Sequence, residues 1–293
     1  MRWRKLIACA AFFELLMAGT SYRAEMAAWR AGHESELKAE DGWLAVAGLF
    51  WLKEGTNTAG SDASNYIVLP RGPAQAGVFE FRDGKTSFRA SPGVAASVNG
   101  KPLTSTAALQ DDTNDSPDQV QLAGLTMLVI HRGNRSGIRL KDPESKTRRE
   151  FTGLRWFPVN ESYRVSAKFI AYPKPRMIPI TNVLGETEPE ASPGYVEFSL
   201  NGRPLRLDPV AEDNRLFFIF RDLTAGKETY PAGRFLYADM PKNGVVDLDF
   251  NKAENPPCAF TAYATCPLPP KENRLPIRIQ AGELDYGHHE PAN

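Results

Sequence analysis

Net charge is the first thing this chain lacks. Its 35 Lys and Arg are balanced by 35 Asp and Glu. No basic stripe with interleaved aromatics stands out, so the electrostatic basis for binding nucleic acid is missing. Histidine is scarce, at four residues, and cysteine scarcer, at three. No G-x-S-x-G elbow occurs, and none of the glycine-rich pieces matches a phosphate-cradling loop, which also needs a following helix. The acidic cluster Asp111, Asp112, Asn114, Asp115 and Asp118 lacks the order of an EF-hand loop and reads as a solvated turn. No cofactor is expected. Past the N-terminus no apolar run reaches transmembrane length, so no membrane span is expected in the mature chain.

The N-terminus reads MRWRKLIACAAFFELLMAGTSYRAE. Arg2, Arg4 and Lys5 precede an apolar stretch over residues 6–19, too short to span a bilayer, and residues 18–21 are small enough for a cleavage site. The pattern predicts a signal peptide over residues 1–24 and export to the periplasm or cell exterior. Glu14 departs from it, and an amphipathic helix on a cytosolic protein is the alternative. Cys9 belongs to this segment.

Behind it, Met26, Trp29, His33 and Leu37 fall on one face of a helical pattern over residues 25–40, which Gly42 ends. Residues 25–65 form this helix and a tryptophan-rich packing segment. From Tyr66 the period changes to two. YIVLP, GVFEFRDG, TSFRA, LTMLVIHRG and SGIRLKD are short alternating runs separated by turn signals, with Asp83-Gly84 and Asn99-Gly100 as tight-hairpin signatures. Residues 66–153 thus form one β unit. A second, residues 154–293, contains YRVSAKFIAY, YVEFSLNGRPLRLDPV, LFFIFRD and VVDLDFN, with a further hairpin at Asn201-Gly202. The fold class is all-β, mainly antiparallel, with two packed sandwich-like or barrel-like units and a short N-terminal helix.

The stretch NPPCAFTAYATCPLPP, residues 255–270, is too rich in proline for a helix or a central strand and too apolar for a flexible linker. It reads as an extended loop wrapped against a core or a site. In an oxidising compartment Cys258 and Cys266 pair as a disulfide. A nucleophilic thiol and a metal site are the alternatives. The x7 gap and the adjacent His288 and His289 fit zinc spacing poorly, so no metal is expected. His33 and His131 neighbour no recognisable catalytic signature.

The elements GWLAVAGLFWLKEGTNTAG, RGNRSGIRLKD, LRWFPVNESYRVSAKF, FRDLTAGKETYPAGRFL, DLDFNKAENPPCAFTAYATCPLPP and NRLPIRIQAGE, spread over residues 42–283, resemble the domain of unknown function 1684 family of bacteria and archaea. Asn134 stands where that resemblance leads one to expect Asp. The family brings no established activity or catalytic residue to transfer.

One polar set brackets the cysteine loop: Asp222, Tyr230, Arg234, Asn255, Asn273, Arg274 and Glu283. Asn and Arg can simply hold irregular backbone in place. If they form a pocket instead, Arg234 or Arg274 suits an anionic group, with Asp222 or Glu283 as acid, base or orienter. The leading expectation is an exported protein that binds a small anionic or polar ligand near this loop. The alternatives are a hydrolase-type enzyme using an Asp or Glu with an Arg in the same region, and a structural or protein-interaction module.

Overall fold

Turn chemistry sets the strand layout. The computed structural model describes residues 4–287, with side chains from residue 21 onward. His288 and His289, and the side chains of Cys9 and Glu14, lie outside the described residues. Eleven strands make the first region: β1 (Val46–Trp51), β2 (Gly55–Gly60), β3 (Ile67–Val68), β4 (Gly77–Arg82), β5 (Lys85–Ala90), β6 (Ser97–Val98), β7 (Lys101–Pro102), β8 (Ala107–Leu109), β9 (Gln119–Leu122), β10 (Leu125–Arg132) and β11 (Arg135–Lys141). Seven make the second: β12 (Arg164–Thr181), β13 (Thr187–Leu200), β14 (Arg203–Leu207), β15 (Val210–Glu212), β16 (Arg215–Phe220), β17 (Arg234–Asp239) and β18 (Val245–Asp249). The three expected hairpins close as two-residue turns, with Arg82 opposite Lys85, Val98 opposite Lys101 and Leu200 opposite Arg203. The paired turn residues have φ of 50° and 75°, 51° and 75°, and 54° and 74°. Two successive left-handed residues are what a type I′ turn requires, and Asp or Asn followed by Gly adopts them at least cost.

The first region pairs as two sheets, ordered β1-β11-β10-β9-β6-β7 and β3-β2-β4-β5-β8, antiparallel throughout except β2 with β3. Their shared core takes Phe79 and Phe88 from one sheet and Met127, Ile138 and Leu140 from the other. The second region also has two sheets, β14-β13-β12-β18 and β15-β16-β17. Val196, Phe198, Phe218, Leu236 and Leu248 fill the core between them. No sheet among the described residues closes into a barrel, and the molecule is mostly antiparallel β-sheet.

Two features position the candidate site. Strand β16 is buried on both faces. Leu216, Phe218 and Phe220 enter the main core of the second region, whereas Phe217 and Ile219 join a smaller cluster with Phe235, Ile180 and Cys266. The same alternation runs through β17. Leu236 and Ala238 face the main core, and Phe235 and Tyr237 face the other way.

The hairpin of β12 and β13 extends beyond its sheet as an arm, and its tip is tied on both sides. Gly133 N–H donates to Glu188 Oε1 at 2.7 Å and Arg135 Nε to Glu186 Oε1 at 2.9 Å. From the cysteine loop, Leu268 N–H donates to Thr181 O at 2.7 Å, while Val183 N–H donates to Cys266 O at 2.9 Å.

Helix α1 (Arg4–Leu37) covers most of the expected helical run and starts well before it. Met26 and Leu37 are buried, as the spacing implies. Gly42 follows the turn after α1. A Cβ there would lie 2.4 Å from Glu36 O and 2.5 Å from Leu37 O, so no other residue fits. The helix is anchored by Tyr22, whose hydroxyl donates to Asp249 at 2.8 Å, and by Arg30, which donates to Phe157 O at 3.0 Å and lies 4.7 Å over the Trp156 ring. No helix among the described residues is long and apolar enough to cross a membrane.

Candidate functional site

A cavity of about 660 Å³ opens where the two β regions, the arm, the cysteine loop and the end of α1 meet. Phe217, Ile219, Phe235 and Tyr237 form an apolar wall, supplied by the faces of β16 and β17 that point away from the main core. The cysteine loop adds Asn255, Pro257 and Cys266, and Glu254 just before it adds a carboxylate. The first region adds Asp112, His131, Arg132 and Arg139, and the arm adds Glu186, Glu188 and Glu190. A second cavity of about 700 Å³ adjoins it, sharing His33, Leu37, Trp43, Tyr237 and Glu254 as a common wall.

Most charges around the cavity are already paired. Arg132 holds Asp112 with two contacts, at 3.0 Å and 2.8 Å, and its Nε donates to Thr265 Oγ1 at 2.9 Å. It thereby ties the first region to the cysteine loop. Arg139 differs. On β11, Ile138 and Leu140 fill the core, so Arg139 projects from the opposite face, which the second region covers. It is only 7% exposed, yet among the described residues its guanidinium makes no hydrogen bond or ion pair, and Nε and Nη2 are buried without partners. The Trp43 ring lies 5.1 Å away, and Asp112, already held by Arg132, adds a weaker attraction without a direct contact. Burial, and next the charge of Arg132, push its pKa down to about 10, so it stays charged at neutral pH.

The shared wall holds a proton-binding pair. His33 Nδ1 lies 3.4 Å from Glu254 Oε2, and Nε2 lies 3.6 Å from Glu283 Oε2. Trp29 stacks on the imidazole, with centroids 5.4 Å apart and planes 6° apart. Burial raises Glu254 to about 7, and repulsion from Glu283 and Glu36 adds to it. Burial works against protonation of His33, but the carboxylates of Glu283, Glu254 and Glu36 outweigh it and raise its pKa.

The expected site residues fall into separate places. Arg234 shares the parity of Leu236 and therefore points into the second core. Its Nη2 donates to Ile279 O at 3.0 Å and to Asp222 Oδ1 at 3.3 Å, and Nη1 donates to Ala281 O. Asp222 in turn accepts from Ile279 N–H at 2.6 Å. Asn273 bonds both backbone groups of Asp208, at 2.8 Å each, and Ile219 O at 3.0 Å. Tyr230 donates to Cys258 O at 3.3 Å. The side chain of Arg274 belongs to an exposed residue. Glu283, fully buried, accepts from Asn255 N–H at 2.9 Å and Asn255 Nδ2 at 2.8 Å. Of the seven, Asn255 lines the cavity, and Glu283 reaches it through His33. The others hold backbone or face away.

Cys258 and Cys266 stand side by side as free thiols, with Cys258 N–H donating to Cys266 Sγ at 3.1 Å. The hydrogen bond with Cys266 holds the Cys258 thiol below its ordinary value, and burial pushes Cys266 up.

Residues 149–284 match the family model described as protein of unknown function (DUF1684). That stretch contains the cysteine loop, the arm and Glu254, whereas His33, Arg132 and Arg139 lie outside it. No curated protein matches the chain. Among solved structures, the uncharacterized protein from gene locus rrnAC0354 of Haloarcula marismortui is 31% identical, over 48% of this chain and 81% of that one, with a TM-score of 0.41. The FhaA FHA domain complexed with the intracellular domain of Rv3910 is 17% identical, over 32% of this chain and 97% of that one, with a TM-score of 0.23. The match over residues 149–284 supports the DUF1684 family for the second region of the chain, the family that the sequence motifs resemble.

Proposed function

We propose that the protein binds a small anionic ligand in the junction cavity, with Arg139 as its anchor. One observation carries this reading: a buried guanidinium with no partner, in the wall of a cavity large enough for a small molecule. Leaving such a charge unpaired costs several kcal/mol, and a carboxylate or phosphate group offsets that cost through the planar donor fork. The site adjoins the cysteine loop, where the sequence motifs point, but uses a different arginine from Arg234 and Arg274. Titration calorimetry with acetate, succinate and inorganic phosphate tests the reading. Binding of one of them by the wild type, lost in Arg139→Met, is expected. Binding that survives the substitution, or no binding at all, overturns it.

A second reading, a hydrolase-type enzyme, is favoured by the Glu254 and His33 pair. A carboxyl group that titrates near 7 in a cavity wall is suited to general acid–base work. Arg139 would then stabilise developing negative charge rather than a resting ligand.

Export belongs with the proposal. Removal of residues 1–24 takes away Tyr22 and its hydrogen bond to Asp249, and leaves Arg30 with the buried Met26 and Leu37 to hold the helix. In an oxidising compartment the adjacent thiols of Cys258 and Cys266 then join as a disulfide. Intact mass and thiol counting on unreduced periplasmic protein test both. A full-length chain with two free thiols at these positions sinks them together.

A further inference from the structure

The paired charges of the cavity leave an uneven remainder. Asp112 is neutralised by Arg132, Glu186 by Arg135, and Glu188 accepts the Gly133 N–H. Glu188 keeps its charge beside Glu190, Glu254 faces His33, and Arg139 on the first region, Glu190 on β13 and Glu212 on β15 have no salt bridge among the described residues. Among the described residues neither Glu190 nor Glu212 makes a salt bridge, although Arg215 stands opposite Glu212 in the β15–β16 pair. That arginine stacks instead on the Tyr237 ring, 4.4 Å from its centroid. Strands β13 and β15 belong to different sheets but pack together, and Glu212 is disfavoured as an anion first by burial, then by Asp213 and, after the opposing Arg215, by Glu190. A single anion would satisfy Arg139 and aggravate the repulsion between these carboxylates. A ligand with a cationic end relieves both.

We propose that the ligand is zwitterionic, an aminocarboxylate whose carboxylate pairs with Arg139 and whose ammonium group lies between Glu190 and Glu212. The proposal rests on the Arg139 reading and adds the second pole. Arg139 is deep and Glu190 and Glu212 sit at exposed strand positions, so the ligand lies with its acid end inward and its amine toward the mouth. The apolar wall of Phe217, Ile219 and Phe235 faces the methylene chain between the two poles.

Calorimetry on the full chain tests this with the ω-aminocarboxylates from glycine to 8-aminooctanoate. Each is compared with the alkanoate and the alkylamine of the same length. One length should bind about tenfold or more tightly than both of its partners, as expected for a charge-assisted hydrogen bond at each end. Glu190→Gln with Glu212→Gln, both at exposed positions, should remove the zwitterion's advantage over its alkanoate, the zwitterion weakening while the alkanoate binds no more weakly than before. Arg139→Met should abolish binding of both. If an alkanoate binds as tightly as the zwitterion and still needs Arg139, this inference falls and the anion site stands. If only alkylamines bind, or nothing binds, both fall.

Discussion

Two buried arginines divide this molecule. Arg234, 1% exposed, sits in the second core with Asp222 and two backbone carbonyls around it, and only its Nε is left over. Arg139, 7% exposed, sits at the junction with an aromatic ring and no acceptor. The first replaces backbone partners that an irregular C-terminal strap cannot find for itself, because residues 274–283 run across the core without forming a strand. The second satisfies nothing in the fold. Burial is nearly equal, so burial alone does not separate a structural charge from one held for a ligand. The partner inventory does.

The comparison breaks most easily at Arg234. Arg234→Met strips the donors from the Ile279 and Ala281 carbonyls and leaves Asp222 buried without its arginine. A loss on the order of 3–5 kcal/mol is expected, the usual consequence of removing one member of a buried pair. Urea unfolding measures it. A loss below about 1 kcal/mol would show that the strap does not depend on this residue.

Glu254 sharpens the contrast through pH. Its carboxyl is raised from 4.5 to about 7 in the folded chain, so the folded state binds more protons than the unfolded one between those values. Stability therefore falls as pH rises from about 4.5 to 7 and levels off above. His33, also raised, acts in the same direction: its contribution is present below 6.5 and lost as pH passes its folded value. Glu254→Gln should remove most of the first slope, roughly 2–3 kcal/mol across the window. Chemical denaturation at pH 5 and pH 8 reads it. An unchanged difference between the two pH values would mean that Glu254 is ionised throughout. That would also remove the observation favouring the hydrolase reading.

How much of this was legible in the sequence depended on range. Asp83-Gly84, Asn99-Gly100 and Asn201-Gly202 specify their hairpins locally, because two left-handed residues admit few alternatives. Met26, Trp29, His33 and Leu37 mark the docking face of α1 by spacing alone, and His33 on that face was a signal of the site that no catalytic motif advertised. Strand parity also carried information that motif reading passed over. In RFLYAD, Arg234 shares a face with Leu236 and Ala238, which points it into the core rather than toward Phe235 and Tyr237. Arg139 was not legible in this way. Alternation in SGIRLKD places it opposite Ile138 and Leu140, on the face a lone sandwich leaves in water. Only the packing of the second region, remote in sequence, buries it. The cavity is built the same way, from five segments that no short window contains.

The smallest expected effect is the most discriminating. Removing a buried charge normally destabilises because its partner is stranded, but Arg139 has no partner to strand. Arg139→Met keeps much of the side chain's length against Trp43 and deletes the desolvation cost and the repulsion from Arg132. Replacing a buried charge with an apolar residue of similar volume is often neutral or favourable. Against this stands the lost contact with Trp43, about 0.5–2 kcal/mol for a cation over an aromatic face. The two nearly cancel, and a change within about 1 kcal/mol of zero is expected in buffer free of small anions. Urea unfolding of the variant beside Arg234→Met decides it. A loss above roughly 2 kcal/mol would place Arg139 with Arg234 as part of the fold's own scaffold. A near-zero change leaves the guanidinium without a structural task, which is the condition the ligand reading requires.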